Sequence, residues 1–267
     1  MNGKTLAGEV ALVTGSGRGL GFAIADRLAE LGAAVAVHDI SQNAPAEFGE
    51  HRDLDEVAAV LAARHDVPTV AAVGNIADEE QVMEMATAAE AALGPVSILV
   101  NCAGGDIALA GGKPQPNDAL GVPLPDVRAI LDRNLVGTLL VCQAVCPGMR
   151  ERRKGSVVNI ASGAAHVGVT DGVIYAVAKA GVAHWTRCLA KELRPFGVRV
   201  NTVSPGATKT ARFLVTRKTD PDKLDESHPL ARYATPEEVA DVVAFLCGPA
   251  SRFVSGQTLR VDGGASA

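Results

Sequence analysis

Val10-Ala11-Leu12-Val13-Thr14-Gly15-Ser16-Gly17-Arg18-Gly19-Leu20-Gly21 runs from an apolar stretch directly into a glycine-rich turn. Residues 10–14 have the character of a short buried strand. Beyond the turn, Leu20, Ala23, Ile24, Leu28 and Leu31 recur with helical spacing. Gly32 closes that helix, and residues 34–38 read as a second strand. The opening of the chain therefore predicts a β-α-β unit.

The alternation continues outward. Helices are predicted over 56–64, 78–93, 126–146, 173–193 and 236–246, and strands over 69–73, 96–101, 156–160, 198–203 and 258–261. Asp78 is a plausible cap for its helix. Thr235 is the cap of the last helix, with Pro236 in its first turn. Pro147 is expected to stop the helix over 126–146. Strands alternating with helices of this length imply a mostly parallel sheet covered on both faces. Three segments fall outside the pattern: 41–53, the Gly- and Pro-rich 105–125, and 206–232. Ligands of such sheets bind beyond the carboxyl ends of the strands, so these loops are the expected pocket walls.

Composition limits the alternatives. The 267 residues carry a net charge of −5 and 21% charged side chains, which favours neither nucleic acid nor an anionic membrane. Aromatics are only 3%, too few for a base-stacking platform. The basic group Arg150, Arg152, Arg153 and Lys154 precedes a strand and reads as a solvated helix end. Five dispersed cysteines fit neither a disulfide framework nor a zinc site, and the six histidines form no metal-ligand cluster. No metal is expected. A reducing, cytoplasmic setting is the natural expectation, with no signal peptide and no membrane span.

The turn carries the first chemical signal. Gly15, Gly17, Gly19 and Gly21 fill the turn; Gly15, Gly19 and Gly21 are spaced G-x-x-x-G-x-G rather than the common G-x-G-x-x-G, and no Gly-Lys-Ser/Thr follows to make a P-loop. Glycine there permits a tight turn and close approach to a pyrophosphate at the helix N-terminus. Asp39, at the end of the second strand, can accept hydrogen bonds from ribose hydroxyls and would repel a ribose phosphate. It favours NAD over NADP; Arg18 is a mild counterweight. His38 beside it reads as structural.

The second signal is Tyr175 and Lys179, four residues apart on one helix face. A nearby ammonium favours a phenolate, so this spacing can produce a base that works near neutral pH. Ser162 lies thirteen positions before the tyrosine.

With these residues in place, the chain resembles the short-chain dehydrogenase/reductase family over nearly its full length. Thr14-Gly15-Ser16-Gly17-Arg18-Gly19-Leu20-Gly21 looks like the family's cofactor loop. Asn101-Cys102-Ala103-Gly104 looks like the motif after strand four, with Cys102 where a second Asn is common. Asn134, Ser162, Tyr175 and Lys179 match the four catalytic positions, Pro205-Gly206 the turn after strand six, and Thr210 a cofactor-contacting threonine. Asn75 replaces a frequent aspartate near the adenine, and the stretch between Gly104 and Asn134 is longer than in familiar members.

The resemblance implies an α/β fold: a single Rossmann-like domain over 1–267, doubly wound, with a mostly parallel seven-stranded sheet and helices on both faces. It implies Ile76 and Thr208 as further cofactor neighbours. It also implies an oxidoreductase that interconverts a secondary alcohol and a ketone with NAD by hydride transfer. Tyr175 is the expected acid–base, Ser162 the group that orients the substrate oxygen, and Lys179 the partner of phenol and ribose. Asn134 is expected to hold a linking water. Asn101 is expected to support the cleft rather than the chemistry. His166 and His184 are set aside, because Tyr175 already supplies the proton transfer.

The pocket loops combine Ile107, Leu109, Val167, Val169, Val173, Phe213 and Leu214 with Asp106, Lys113, Thr208 and Lys209. A polyol, a sugar-derived or cyclic alcohol, a hydroxysteroid and a 3-oxoacyl thioester all suit that mixture. No isolated cationic cluster marks a carboxylate or acyl-carrier site. A non-catalytic NAD-binding sensor or scaffold is the alternative of another class. Family members are commonly homotetramers, and a homotetramer is expected here.

Overall fold

β1 (Val10–Thr14) is buried along its whole length, and its side chains divide by parity. Ala11 and Val13 enter one core; Val10 and Leu12 enter the other. That division organises the protein. In chain order, the computed structural model has α1 (Gly19–Glu30), β2 (Ala34–Asp39), α2 (Leu54–His65), β3 (Thr69–Val73), α3 (Glu79–Leu93) and β4 (Ile98–Asn101). There follow α4 (Leu124–Leu131), α5 (Gly137–Arg152), β5 (Gly155–Ile160), α6 (Val173–Leu193) and β6 (Val198–Pro205). α7 (Ala211–Thr216), α8 (Pro236–Cys247) and β7 (Thr258–Val261) complete it. Residues 4–266 are described; the terminal residues 1–3 and 267 of the expected domain range lie outside them.

The strands form one seven-stranded sheet in the order β3-β2-β1-β4-β5-β6-β7, with every neighbouring pair parallel. α1, α2 and α8 cover one face through Ile24, Leu28, Leu61 and Val243. α3, α5 and α6 cover the other through Met85, Val145, Met149 and Leu193. The chain reverses its winding direction between β1 and β4, where a cleft opens beyond the strand ends. Thr14 pairs in register with Asn101, Asn101 with Asn159, and Asn159 with Thr202. β1 and β4 thus end level, while β5 runs one residue and β6 three residues beyond them.

Caps behave as their sequences suggest. Asp78 accepts from Gln81 N at 3.1 Å. Thr235 and Glu238 form a reciprocal capping box. The helix expected over 126–146 differs in two respects. It is interrupted by a π-turn, Asp132–Val136, and it continues through Pro147 to Arg152. Pro147 and Gln143, the residue whose carbonyl loses its helical donor, are both exposed. Water can satisfy that carbonyl, so the proline is tolerated. Among the described residues, Leu124–Arg152 is long and apolar enough by composition to cross a membrane. Here α5 buries Val141, Val145 and Met149 against the sheet.

Candidate active site

The glycine turn bends over the end of β1 into α1 and borders a cleft of about 440 Å³. Gly17 shows why a side chain is excluded: a Cβ there would lie 2.7 Å from Asp39 Oδ2. Asp39 therefore approaches the turn through the space a side chain would take. Burial raises its carboxyl above the usual range, while the Ile40 N–H and the Arg18 charge oppose that rise. Arg18 is drawn aside. It donates to Ala44 O at 2.8 Å, pairs with Glu47 at 2.6 Å and stacks on Phe48 at 4.8 Å from the ring centroid. Asn75 uses its side-chain carbonyl to accept from Ala77 N at 3.1 Å.

The second group of residues lies across the sheet ends. Lys179 is buried and donates to Ile160 O at 2.8 Å; burial lowers its ammonium to about 8. Its nitrogen is 5.8 Å from the centroid of the Tyr175 ring. Ser162 Oγ accepts from Ala164 N at 3.3 Å and is close enough to Tyr175 to act on its phenol. The phenol is nevertheless raised: burial is the largest cause, opposed by Ser162 and by the positive Arg217 and Arg212. The sequence spacing predicted a phenol lowered by Lys179. Four-residue spacing does share the helix face, but the amine is turned to a backbone carbonyl and shielding of the ring dominates. Asn134, at the centre of the π-turn, is fully buried. Its amide brackets Gly105, accepting from Gly105 N and donating to Gly105 O, both at 2.9 Å. A Cβ on Gly104 would lie 2.5 Å from Asn134 Oδ1 and 3.2 Å from Lys179 Nζ, so the asparagine and lysine face one another across a bare glycine.

Residues 15–266 match the family model described as Enoyl-(Acyl carrier protein) reductase. The cyclohexanol dehydrogenase of Rhodococcus sp. (strain TK6) is 36% identical over 97% of this chain and 96% of its own length. The chain belongs to the short-chain dehydrogenase/reductase family. The 7α-hydroxysteroid dehydrogenase of Escherichia coli (strain K12) is 33% identical, over 97% of this chain and 94% of its own. A solved 3-oxoacyl-[acyl-carrier protein] reductase with bound NAD from Brucella melitensis superposes with a TM-score of 0.83 at 28% identity, over 100% of this chain and 94% of that one. As a member of the short-chain dehydrogenase/reductase family, the protein is an oxidoreductase acting on CH–OH groups.

The remaining expected residues of this short-chain dehydrogenase/reductase divide between cleft and support. Gly15, Arg18, Gly19, Leu20 and Gly21 line the cleft, as do Asp39, Asn75, Ile76, Ala103, Gly104 and Thr210. Ser16 does not expose its hydroxyl there. It is fully buried, donating to Val13 O at 2.7 Å and accepting from His38 N at 2.9 Å. Its hydroxyl fastens β1 to β2. Asn101 is buried and donates to Asn159 Oδ1 at 2.8 Å, a support for the cleft floor. Thr208 turns its hydroxyl to Gly206 O at 3.1 Å, and Gly206 N bonds Val261 O at 2.9 Å beyond Pro205. Cys102 lines the cleft as a thiol that burial pushes up to about 12, and so it is no nucleophile. His166 bonds Ser204 Oγ at 2.9 Å, and His184 is exposed on α6.

Two residues at the cleft have no counterpart in the sequence reading. Glu50 reaches back from the loop after β2, and its Oε2 accepts from Gly19 N at 2.8 Å. Arg212, two positions beyond Thr210, lies against Gly104 and Gly105. Both depend on contacts between segments far apart in the chain, and neither belongs to a local motif.

Proposed function

We propose that the enzyme interconverts a secondary alcohol and its ketone, with NAD as partner and with Asn134, Ser162, Tyr175 and Lys179 as its catalytic set. The observation that carries this reading is the convergence of those four residues beside the cleft that Asp39 and the glycine turn border. The cleft suits a dinucleotide. The Gly17 gap accommodates a carboxylate where ribose hydroxyls would be recognised, and Gly15, Gly19 and Gly104 leave backbone exposed along its length. Gly15, Gly19, Asp39 and Gly104 would hold NAD there, and its nicotinamide would supply the hydride acceptor for the carbinol carbon.

The chain's own residues manage the proton. Ser162 donates to the substrate oxygen and holds it at the phenol. Tyr175 accepts the alcohol proton in oxidation and returns it in reduction. A phenol raised by burial is a poor base, so its negative form requires compensating charge; Arg217 and Arg212 act on it in that sense, and the Lys179 amine stands 5.8 Å from the ring centroid. Asn134 fixes the Gly104–Gly105 backbone beside the amine and, in this reading, positions a water that passes the proton towards solvent.

The protein is read as one dinucleotide-binding domain whose substrate walls are 105–125 and 206–232, working in the cytoplasm as a homotetramer on small-molecule substrates. The cyclohexanol and hydroxysteroid dehydrogenases among its relatives support a ring-borne secondary alcohol. Tyr175→Phe is the test, because it keeps the ring and removes the proton carrier. The variant should unfold like the wild type and lose about 100-fold or more in kcat on every secondary alcohol the wild type oxidises. Wild-type kcat in a folded Tyr175→Phe protein would refute the assignment.

A further inference from the structure

Three chain segments meet above Tyr175, and nearly all of their charges cancel. Lys113 Nζ lies 2.7 Å from Asp171 Oδ2 and 3.9 Å from Asp106 Oδ2. The Arg217 guanidinium is 4.0 Å from each of the same carboxylates. Asp106 is buried and takes a further bond from Asn117 Nδ2 at 2.9 Å, which closes the long 105–125 loop on itself, and Gly172 N donates to Asn117 O at 3.1 Å, which ties that loop to the start of α6. Lys209 pairs with Glu226, and Arg18 with Glu47.

Arg212 is left over. Among the described residues no carboxylate comes within ion-pair distance of it; Glu47 acts on it only at longer range and is engaged by Arg18. Its protein acceptor is Gly104 O, at a long 3.5 Å. The guanidinium lies in a place built for it. A Cβ on Gly105 would come within 2.7 Å of both Nη atoms, so the glycine makes room. Gly105 is bracketed by Asn134, and its neighbour Gly104 touches the spaces of Asn134 and Lys179. The unpaired cation therefore lies against Gly105, and the Lys179 amine against the adjacent Gly104. Arg212 lines the same cleft as the glycine turn, where Thr210 packs on Gly19, and its charge also reaches the Tyr175 phenol. Guanidinium does not surrender its proton in proteins. Held half-buried without a counter-charge, it is costly until a ligand supplies one.

We propose that Arg212 is a specificity residue that pairs with a carboxylate on the substrate, so that the alcohols oxidised are hydroxy acids and the ketones reduced are oxo acids. This rests on the dehydrogenase reading above and refines its substrate. Guanidinium and carboxylate match as a two-pronged pair. Such a pair would fix the distance between the anionic end and the carbinol that Tyr175 deprotonates.

The test compares 2-, 3- and 4-hydroxycyclohexanecarboxylate with their methyl esters, oxidised by the full-length enzyme with NAD. At least one acid should exceed its ester by about ten-fold or more in kcat/KM, chiefly through KM. In Arg212→Leu that acid-to-ester ratio should collapse towards one, and Arg212→Lys should restore part of it. A second arm needs no turnover. NAD-saturated Tyr175→Phe protein should gain melting temperature with the acids and not with the esters, and the added Arg212→Leu change should abolish the gain. Equal use of acid and ester by the wild type overturns the inference. So does an Arg212→Leu variant whose KM for NAD rises while the ratio stands, which would assign the cation to the cofactor phosphates. Acid-specific stabilisation with no oxidation of any acid, ester or cyclohexanol would instead refute the dehydrogenase reading and leave the carboxylate contact in place.

Discussion

Asp39 and Arg18 carry opposite charges at the same edge of the cleft, and a ribose phosphate would meet one or the other. The sequence leaves them in competition. The fold separates them: Arg18 is committed to Glu47, Ala44 O and the Phe48 ring, whereas Asp39 fills the space beside Gly17. The expected outcome is a preference for NADH over NADPH in kcat/KM. Asp39→Asn keeps the shape and removes the repulsion, so it should narrow that preference by about ten-fold. Wild-type protein that prefers NADPH would overturn the reading. The same residue-scale logic applies to Tyr175. Its position was readable from spacing, but its proton affinity was not, because shielding by 105–125 and 206–232 enters only when distant segments fold over it.

At the scale of elements, the strands and helices were legible because each carries its own periodicity. β1 alternates between two cores, and α8 announces itself by Thr235, Pro236 and Glu238. Departures occur where hydrogen-bond register or long-range packing decides. The π-turn at Asp132–Val136 has no composition of its own, and Pro147 survives inside α5 because the carbonyl it leaves bare faces water. The least legible element is the segment after β2, expected only as an irregular loop. It forms a short 3-10 turn, Ala44–Phe48, and delivers Glu50 to the N-terminus of α1. There the carboxylate accepts from Gly19 N, while its other oxygen, Oε1, is buried without a partner. A helix N-terminus favours any anion, so Glu50 caps α1 and competes with a dinucleotide's phosphates for the same donors. Glu50→Gln should therefore move two measurements in opposite senses. The melting temperature falls with the lost cap, and the Kd for NADH, read by fluorescence titration, drops by about five-fold, equivalent to about 1 kcal/mol. An unchanged or weakened Kd would show that Glu50 lies clear of the phosphates.

For the whole molecule, the parallel sheet places a layer of buried polar groups directly beneath the cleft, and a buried histidine at its edge makes stability depend on pH. Asn101 donates to Asn159 at 2.8 Å, Asn159 to Thr186 at 2.9 Å, and Thr202 to Thr186 at 2.8 Å. These groups do not titrate; His38, on β2 and separated from β4 by β1, does. Its Nδ1 accepts from Gly15 N at 3.2 Å, which leaves the proton on Nε2 to be donated to Gly74 O at 2.9 Å. One neutral ring thus joins the glycine turn, β2 and the end of β3. Burial lowers its pKa from 6.5 to about 4. The unfolded chain then binds a proton more readily than the folded one throughout that interval. Stability is complete above the unfolded value and declines as pH falls from 6.5 towards about 4. Between about pH 7 and about pH 5 the decline should be on the order of 2 kcal/mol, measured by urea unfolding at each pH. Carboxylates held low by arginine act further down: Glu238, paired with Arg232, sits at about 2. His166 is also lowered by burial and adds a smaller contribution of the same sign from a more exposed position. His38→Gln separates the two histidines. The variant should be less stable at neutral pH, having lost a fitted ring, yet its stability should change far less between the two pH values. A variant as steeply pH-dependent as the wild type would place the proton uptake elsewhere and remove His38 as the residue that couples the cleft floor to acid.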